Sequence, residues 1–374
     1  MFAALAIAAL TGIYIILGRI GMSRLSKERD QLIFPKKPPM VSIIIPAYNS
    51  QDIISKTLES ARKLDYPKKE IIVVNDSNDS TPSIARGFGA RVIQNKERLG
   101  KPAALNMATK EARGELLFFL DSDTTASRNC LTRLIPWFSR KEVSAVMPRY
   151  LLRNMNPVSI LADIENLFTF ALLRIHMFFG SMVGFRGCSV MIRKSVLKKH
   201  PWPDALMEDN HLSATLAASG HRIIWEPLAV TWTDEPGTIT ELKRQKRRWG
   251  EGALLAFCHH MRFYLRSPQF MIFLYPYFAL GAVTSILLLS LLASPVMFPQ
   301  LTIPIISELV FIFAAIYFHT LIFIHLGGGG THPFRTLRFM IFYFPIMSYS
   351  YFRGIMSGIK RKKSGRSELH FRHW

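Results

Sequence analysis

Apolar residues along this chain fall into short runs and long ones. The short runs are VSIII (41–45), EIIVV (70–74), RVI (91–93) and ELLFFL (115–120), with helical patterns such as 52–64 and 102–112 between them. Uninterrupted apolar runs separated by helices predict a mainly parallel sheet buried on both faces. The first, second and fourth runs end in small polar or acidic residues: PAYN, NDSNDST and DSDT. Ligands of such sheets bind beyond the carboxyl ends of the strands. Asn49, Asp76, Asp79, Asp121 and Asp123 are therefore expected along one rim.

The long runs have membrane dimensions. Residues 2–18 carry no charge, and 270–293 and 303–326 share one Glu. A span needs about 20 helical residues. The first run has no basic stretch before it and no small-residue cleavage site after it, so it reads as an uncleaved anchor. Residues 338–354 have a shorter uncharged centre with Pro345, which suits an interfacial or re-entrant helix. Residues 253–266 read as an amphipathic interfacial helix.

Charge orients these segments. The 374 residues include 47 Lys+Arg against 26 Asp+Glu, a net charge of +21, although 49% are hydrophobic. That balance implies an anionic partner: nucleic acid, a membrane surface or phosphorylated substrates. Many cations flank the long runs: Arg19, Arg24, Lys27, Arg29, Lys36 and Lys37 after the first, and Lys360, Arg361, Lys362, Lys363 and Arg366 near the C-terminus. The 294–302 loop is uncharged. The positive-inside rule puts 38–265 and the C-terminus in the cytoplasm and 294–302 outside. A multi-pass protein of the cell membrane is expected. Its parts are a membrane anchor and basic linker (1–37), a cytoplasmic domain (38–252), and an interfacial helix, membrane helices and basic tail (253–374). Cys130, Cys188 and Cys258 are scattered and odd in number, and read as reduced thiols. His259 and His260 read as an interfacial pair.

Asp121-Ser122-Asp123 at a strand end can share one hard divalent cation that keeps positions open for phosphate oxygens; a lone DxD can also be a capping turn. Gly100-Lys101-Pro102 opens a helix, where a lysine and free N–H groups favour a diphosphate, or where Lys101 is merely a solvated cation. In MEDN (207–210), Glu208 and Asp209 precede a helix and serve as caps or as a general base. ELKRQKRRWGEG (241–252) ends a run of cations on Trp249. Attraction to anionic lipid accounts for Lys243, Arg244 and Lys246, but not for Gln245 or Trp249.

Together these segments resemble the membrane-bound family 2 glycosyltransferases of GT-A fold, the QxxRW type that includes cellulose, chitin and hyaluronan synthases and ceramide glucosyltransferases. In order, they are PAYN (46–49), NDSNDST (75–81), GKPAALN (100–106), LDSDT (120–124), FRGCSVMIRKSVL (185–197), MED (207–209), DEPGT (234–238) and QKRRW (245–249). The resemblance implies an α/β GT-A domain, Rossmann-like with a mainly parallel sheet, plus transmembrane α-helices. It implies that Asp76 contacts the base or ribose, with Asn49, Lys101 and Asp121 on the donor side. Asp121 and Asp123 would hold Mg²⁺ or Mn²⁺, and Asp209 would be the catalytic base. Gln245, Arg248 and Trp249 would bind the leaving diphosphate, with Glu208 and Trp249 on the acceptor side. The chain departs from the pattern at Asn75, where the family often has Asp, at Met207 in place of Thr, and at Ser50-Gln51-Asp52.

The partners so implied are a nucleoside-diphosphate sugar (UDP by resemblance), a polysaccharide or lipid acceptor, and the bilayer. No nucleic-acid motif occurs. The rival classes are a membrane-tethered basic binding module and a nucleotidyltransferase. The second would have no use for the MED and QxxRW segments.

Overall fold

The computed structural model describes residues 2–95, 97–272, 299–330 and 332–363. Most of the expected 270–293 span and of the 294–302 loop, and Arg366 in the tail, lie outside the described residues.

The first element is α1 (Phe2–Asp30). There follow β1 (Val41–Ala47), α2 (Ile54–Arg62), β2 (Lys69–Asn75), α3 (Thr81–Gly87), β3 (Arg91–Gln94), α4 (Lys101–Glu111) and β4 (Leu116–Leu120). The second half comprises β5 (Thr125–Ala126), α5 (Cys130–Leu134), β6 (Val143–Leu152), α6 (Pro157–Phe178), β7 (Ser189–Arg193), α7 (Lys194–Lys199), α8 (Glu208–Ala218), β8 (Arg222–Thr233), α9 (Ile239–His259) and α10 (Met261–Tyr264). Last come α11 (Thr302–Leu326), α12 (Pro333–Arg338), a π-turn (Phe339–Tyr343) and α13 (Phe344–Lys363).

The strands form one sheet in the order β3-β2-β1-β4-β7-β6-β8-β5. The half from β3 to β4 is parallel, as the apolar runs predict. Beyond β4 the sheet is mixed: β7 runs antiparallel to both β4 and β6, while β8 runs parallel to β6 and antiparallel to β5. The short runs are the core. Every residue of β4 is buried, as are Val41 to Ile45 and Ile72 to Val74. Burial on both faces explains why these strands show no alternation.

Among the described residues two helices, α1 and α11, are long and apolar enough to cross a membrane. Both pack on α6. Tyr14 of α1 is fully buried against Phe323 of α11, and Thr11 hydrogen-bonds His319 at 2.7 Å. The last turns of α1 grip the sheet domain: Arg29 pairs with buried Glu226 at 2.8 Å, and Glu28 with Arg222 at 2.7 Å.

Two expected segments join longer elements. Residues 253–259 do not form a helix of their own but continue α9, which carries the QKRRW residues, and the chain breaks at His260. Residues 338–354 enter the π-turn and then α13, which lies along α9. At the crossing the backbones touch: a Cβ on Gly250 would collide with Tyr351, and one on Gly354 with Arg247. The two glycines allow the contact.

Candidate active site

The rim is built by the turns after β1, β2 and β4. After β2, Asp76 is committed to its neighbours. Its carboxylate accepts from the Leu99 and Gly100 amides at 3.1 and 3.0 Å and from the Asn95 side chain. Asp76 thereby fixes where α4 begins, and with it Lys101. Asn75, the departure from the acidic pair, is fully buried. Its amide donates to the Ser77 carbonyl at 2.5 Å and the Gln94 side-chain oxygen at 3.0 Å, which an ionised Asp could not do. Ser50 donates to the Ser122 hydroxyl at 3.0 Å, so a hydroxyl, not a further carboxylate, abuts the Asp121–Asp123 turn. Asn49 sits exposed with φ 49°, a conformation Asn tolerates better than most residues. No hydrogen bond or ion pair among the described residues joins it to the groups below.

Lys101 is the hub. Its Nζ lies 2.6 Å from Asp121 and 3.5 Å from Glu208. Burial alone would pull this ammonium down, but the two carboxylates hold it above its ordinary value. Asp209, next to Glu208, accepts from the Gly187 amide at 2.7 Å, and Asp121 donates its own amide to the Cys188 carbonyl at 3.0 Å. Groups more than a hundred positions apart thus meet around one cation. Glu208 is pushed up by burial and by Asp209, with Lys101 opposing.

Asp123 points to a shortage of positive charge. Burial first, and then the Asp121 carboxylate, push it up to about 6. No group of three or more His, Cys, Asp or Glu among the described residues can hold a metal ion by itself. Two crowded carboxylates fit an ion whose remaining positions come from a diphosphate and water.

Met207 caps α8 in the left-handed conformation, φ 59° and ψ 55°. Where the family has a hydroxyl, this side chain packs on α9: a Cβ on Gly252 would lie 2.7 Å from Met207 Cγ. Helix α9 thus braces the Glu208–Asp209 turn.

Trp249 is held between charges. Lys246 Nζ lies 3.8 Å from its ring centroid and the Arg186 guanidinium 4.9 Å. Lys246 is not a solvated, lipid-facing cation as its sequence context suggests. It is 1% exposed and pairs with Glu165 of α6 at 2.7 Å. Arg186 donates to buried Glu235 at 3.1 Å and to Asn166 at 2.8 Å. Because Gly187 follows Arg186, one short segment links the Trp249 cluster to Asp209. Gln245 Oε1 is buried with no protein partner, and Arg248 is exposed. Arg186 and Glu235 fall within the quoted FRGCS and DEPGT segments; nothing local in the sequence marks Glu165.

Parts of the chain resemble known proteins. Residues 42–200 match the family Glycosyl transferase family 2. The poly-beta-1,6-N-acetyl-D-glucosamine synthase of Staphylococcus epidermidis is 30% identical over 224 residues, covering 57% of this chain and 54% of the relative. A probable glycosyltransferase of Bacillus subtilis, YdaM, is 31% identical over 58% of this chain and 56% of its own length. The matches therefore span little more than half of these relatives. Among solved structures, the mannosyltransferase PcManGT from Pyrobaculum calidifontis, in complex with GDP-Man and Mn²⁺, superposes with a TM-score of 0.59 at 21% identity. That superposition covers 98% of this chain and all of the other. The sheet and its helices define a GT-A fold. Within it, residues 42–200 are the part that matches glycosyl transferase family 2.

Proposed function

We propose that the protein is a membrane-embedded, inverting glycosyltransferase that moves a sugar from a nucleoside-diphosphate sugar, UDP-linked by resemblance, to a growing polysaccharide at the cytoplasmic membrane face. The observation that carries this reading is the gathering of Lys101, Asp121, Glu208 and Asp209 into one network. Residues 38–252 form the transferase domain, with membrane segments on either side.

Asp209 removes the proton from an acceptor hydroxyl. The freed oxygen bonds to the anomeric carbon as the bond to the diphosphate oxygen breaks on the opposite face, and configuration inverts. General-base help is worth ~10²–10⁴ in rate. Glu208 is held by Lys101 and orients the acceptor beside the base. Lys101 and Arg248 offset charge that develops on the leaving diphosphate, and Gln245 Oε1 is available to accept a ligand hydrogen bond. Asp121 and Asp123 would hold Mg²⁺ or Mn²⁺, which supplies further neutralisation of the diphosphate. No protein acid is required, because a neutralised diphosphate is a good leaving group. Trp249, already fixed by Lys246 and Arg186, bounds the acceptor side.

Single transfer to a membrane lipid is the second reading. It is favoured by the exposed aromatic side chains of α13 beside α9. The test is to incubate membranes containing the protein with a panel of radiolabelled sugar nucleotides and Mg²⁺ or Mn²⁺. The label is then sorted into organic-extractable lipid and high-mass polymer. Label in polymer supports the first reading and label in lipid the second; hydrolysis without transfer refutes both.

A further inference from the structure

A groove of about 340 Å³ lies between α9 and α13. Five cations line it: Lys243, Arg244, Arg247 and Arg248 from α9 and Arg353 from α13. Among the described residues none of the five forms an ion pair. The groove's own carboxylate, Glu251, is engaged by Arg361 at 2.7 Å. Arg247 has a long hydrogen bond, 3.4 Å, to Ser357. The electrostatic field in the groove is therefore uncompensated.

Tyr349, which also lines the groove, is 58% exposed, and Phe352 beside Arg353 equally so. On the same helix Phe344 and Met356 are exposed as well. Exposed aromatic and apolar side chains next to clustered cations suit the boundary between headgroups and acyl chains. A soluble polyanion would match the cations but leave these aromatic side chains in water.

We propose that this groove binds the headgroup of an anionic phospholipid, with the phosphate among Lys243, Arg244 and Arg353 and the acyl chains along Tyr349 and Phe352. A zwitterionic headgroup matches it poorly, because the one carboxylate that could meet a choline is already paired. The site rests on the membrane placement proposed above, but the cations given to the lipid phosphate, Lys243, Arg244 and Arg353, are not among the groups assigned to the donor. It adjoins the transfer machinery through Arg248 and through Leu206, which precedes the Met207–Asp209 turn.

The experiment is native mass spectrometry of the full chain in detergent. The protein is titrated separately with dimyristoyl phosphatidylglycerol, dimyristoyl phosphatidylcholine and inorganic phosphate. We expect phosphatidylglycerol to bind at least tenfold more tightly than phosphatidylcholine. The triple variant Lys243→Gln, Arg244→Gln, Arg353→Gln should lose that preference and keep its melting temperature. The charge-preserving Lys243→Arg should retain it, which guards against a fold effect. Equal binding of the two lipids, or an unchanged triple variant, overturns the proposal. Displacement of phosphatidylglycerol by millimolar phosphate overturns it too, in favour of a soluble phosphate site. Sugar-nucleotide turnover measured on the same samples separates the readings. Lipid selectivity without turnover refutes only the transferase proposal, and turnover without selectivity refutes only the lipid site.

Discussion

The two halves of the sheet domain hold their functional groups by different means. In the parallel half, Asp76, Asn75 and Lys101 are placed by short-range links to backbone groups in adjoining turns. In the mixed half, Trp249, Lys246 and Arg186 are placed by charges from helices remote in sequence, such as Glu165 of α6. The Arg361–Glu251 pair joins residues 110 positions apart. The first arrangement is a property of βα turns and can be built locally. The second exists only once α6, α9 and α13 have docked. The first set of contacts can therefore form within the parallel half, whereas the second requires the docked helices.

The largest expected effect tests where the halves meet. Asp209→Asn should lower transfer by about 10²–10⁴ while nucleotide binding is retained; turnover at the wild-type rate would remove Asp209 from its role as base. Next, Glu165→Leu leaves Lys246 buried without its partner, which costs about 3–5 kcal/mol. The melting temperature should fall clearly, and the double variant Glu165→Leu, Lys246→Met should recover most of the loss. If the double variant is no better than the single, the charge pair does not hold the mixed half.

A third test is confined to the parallel half. Asp123 is an acid raised to about 6, so it is ionised above that pH and protonated below it. Binding of Mn²⁺ with a sugar nucleotide should therefore weaken about tenfold between pH 7 and pH 5, followed by calorimetry. Asp123→Asn should abolish the dependence, and the same slope in that variant would assign it elsewhere. The smallest effect is expected for Asn75→Asp. It replaces the donor to Ser77 and Gln94 with an acceptor and should cost about 1–3 kcal/mol of stability, read from chemical denaturation. A neutral result would mean that the turn after β2 tolerates the family's usual residue.

The same contrast sets what was legible in the sequence. β1 to β4 and their rim could be read directly, because buried parallel strands are continuous apolar runs and their turns carry the polar groups. The mixed half was not legible in this way. β7 and β8 are paired by a topology that no local pattern encodes. Lys246 lies within a run of cations, and composition alone treats every member alike. Its burial follows from helical phase and from its pairing with Glu165 of α6. Gln245 and Trp249 mark α9 as a candidate site element, but its continuation to His259 is hidden by the change from a basic to an apolar stretch at Ala253. Residues 338–354 contain Pro345, which suits an interfacial or re-entrant helix; the chain runs through the π-turn before it into α13.

Backbone contact at Gly250 and Gly354 leaves no compliant layer of side chains where α9 crosses α13. A tilt imposed on one helix is carried directly to the other. Trp249 is adjacent to that fulcrum, so a displacement of α13 is passed to the part of α9 that carries Trp249.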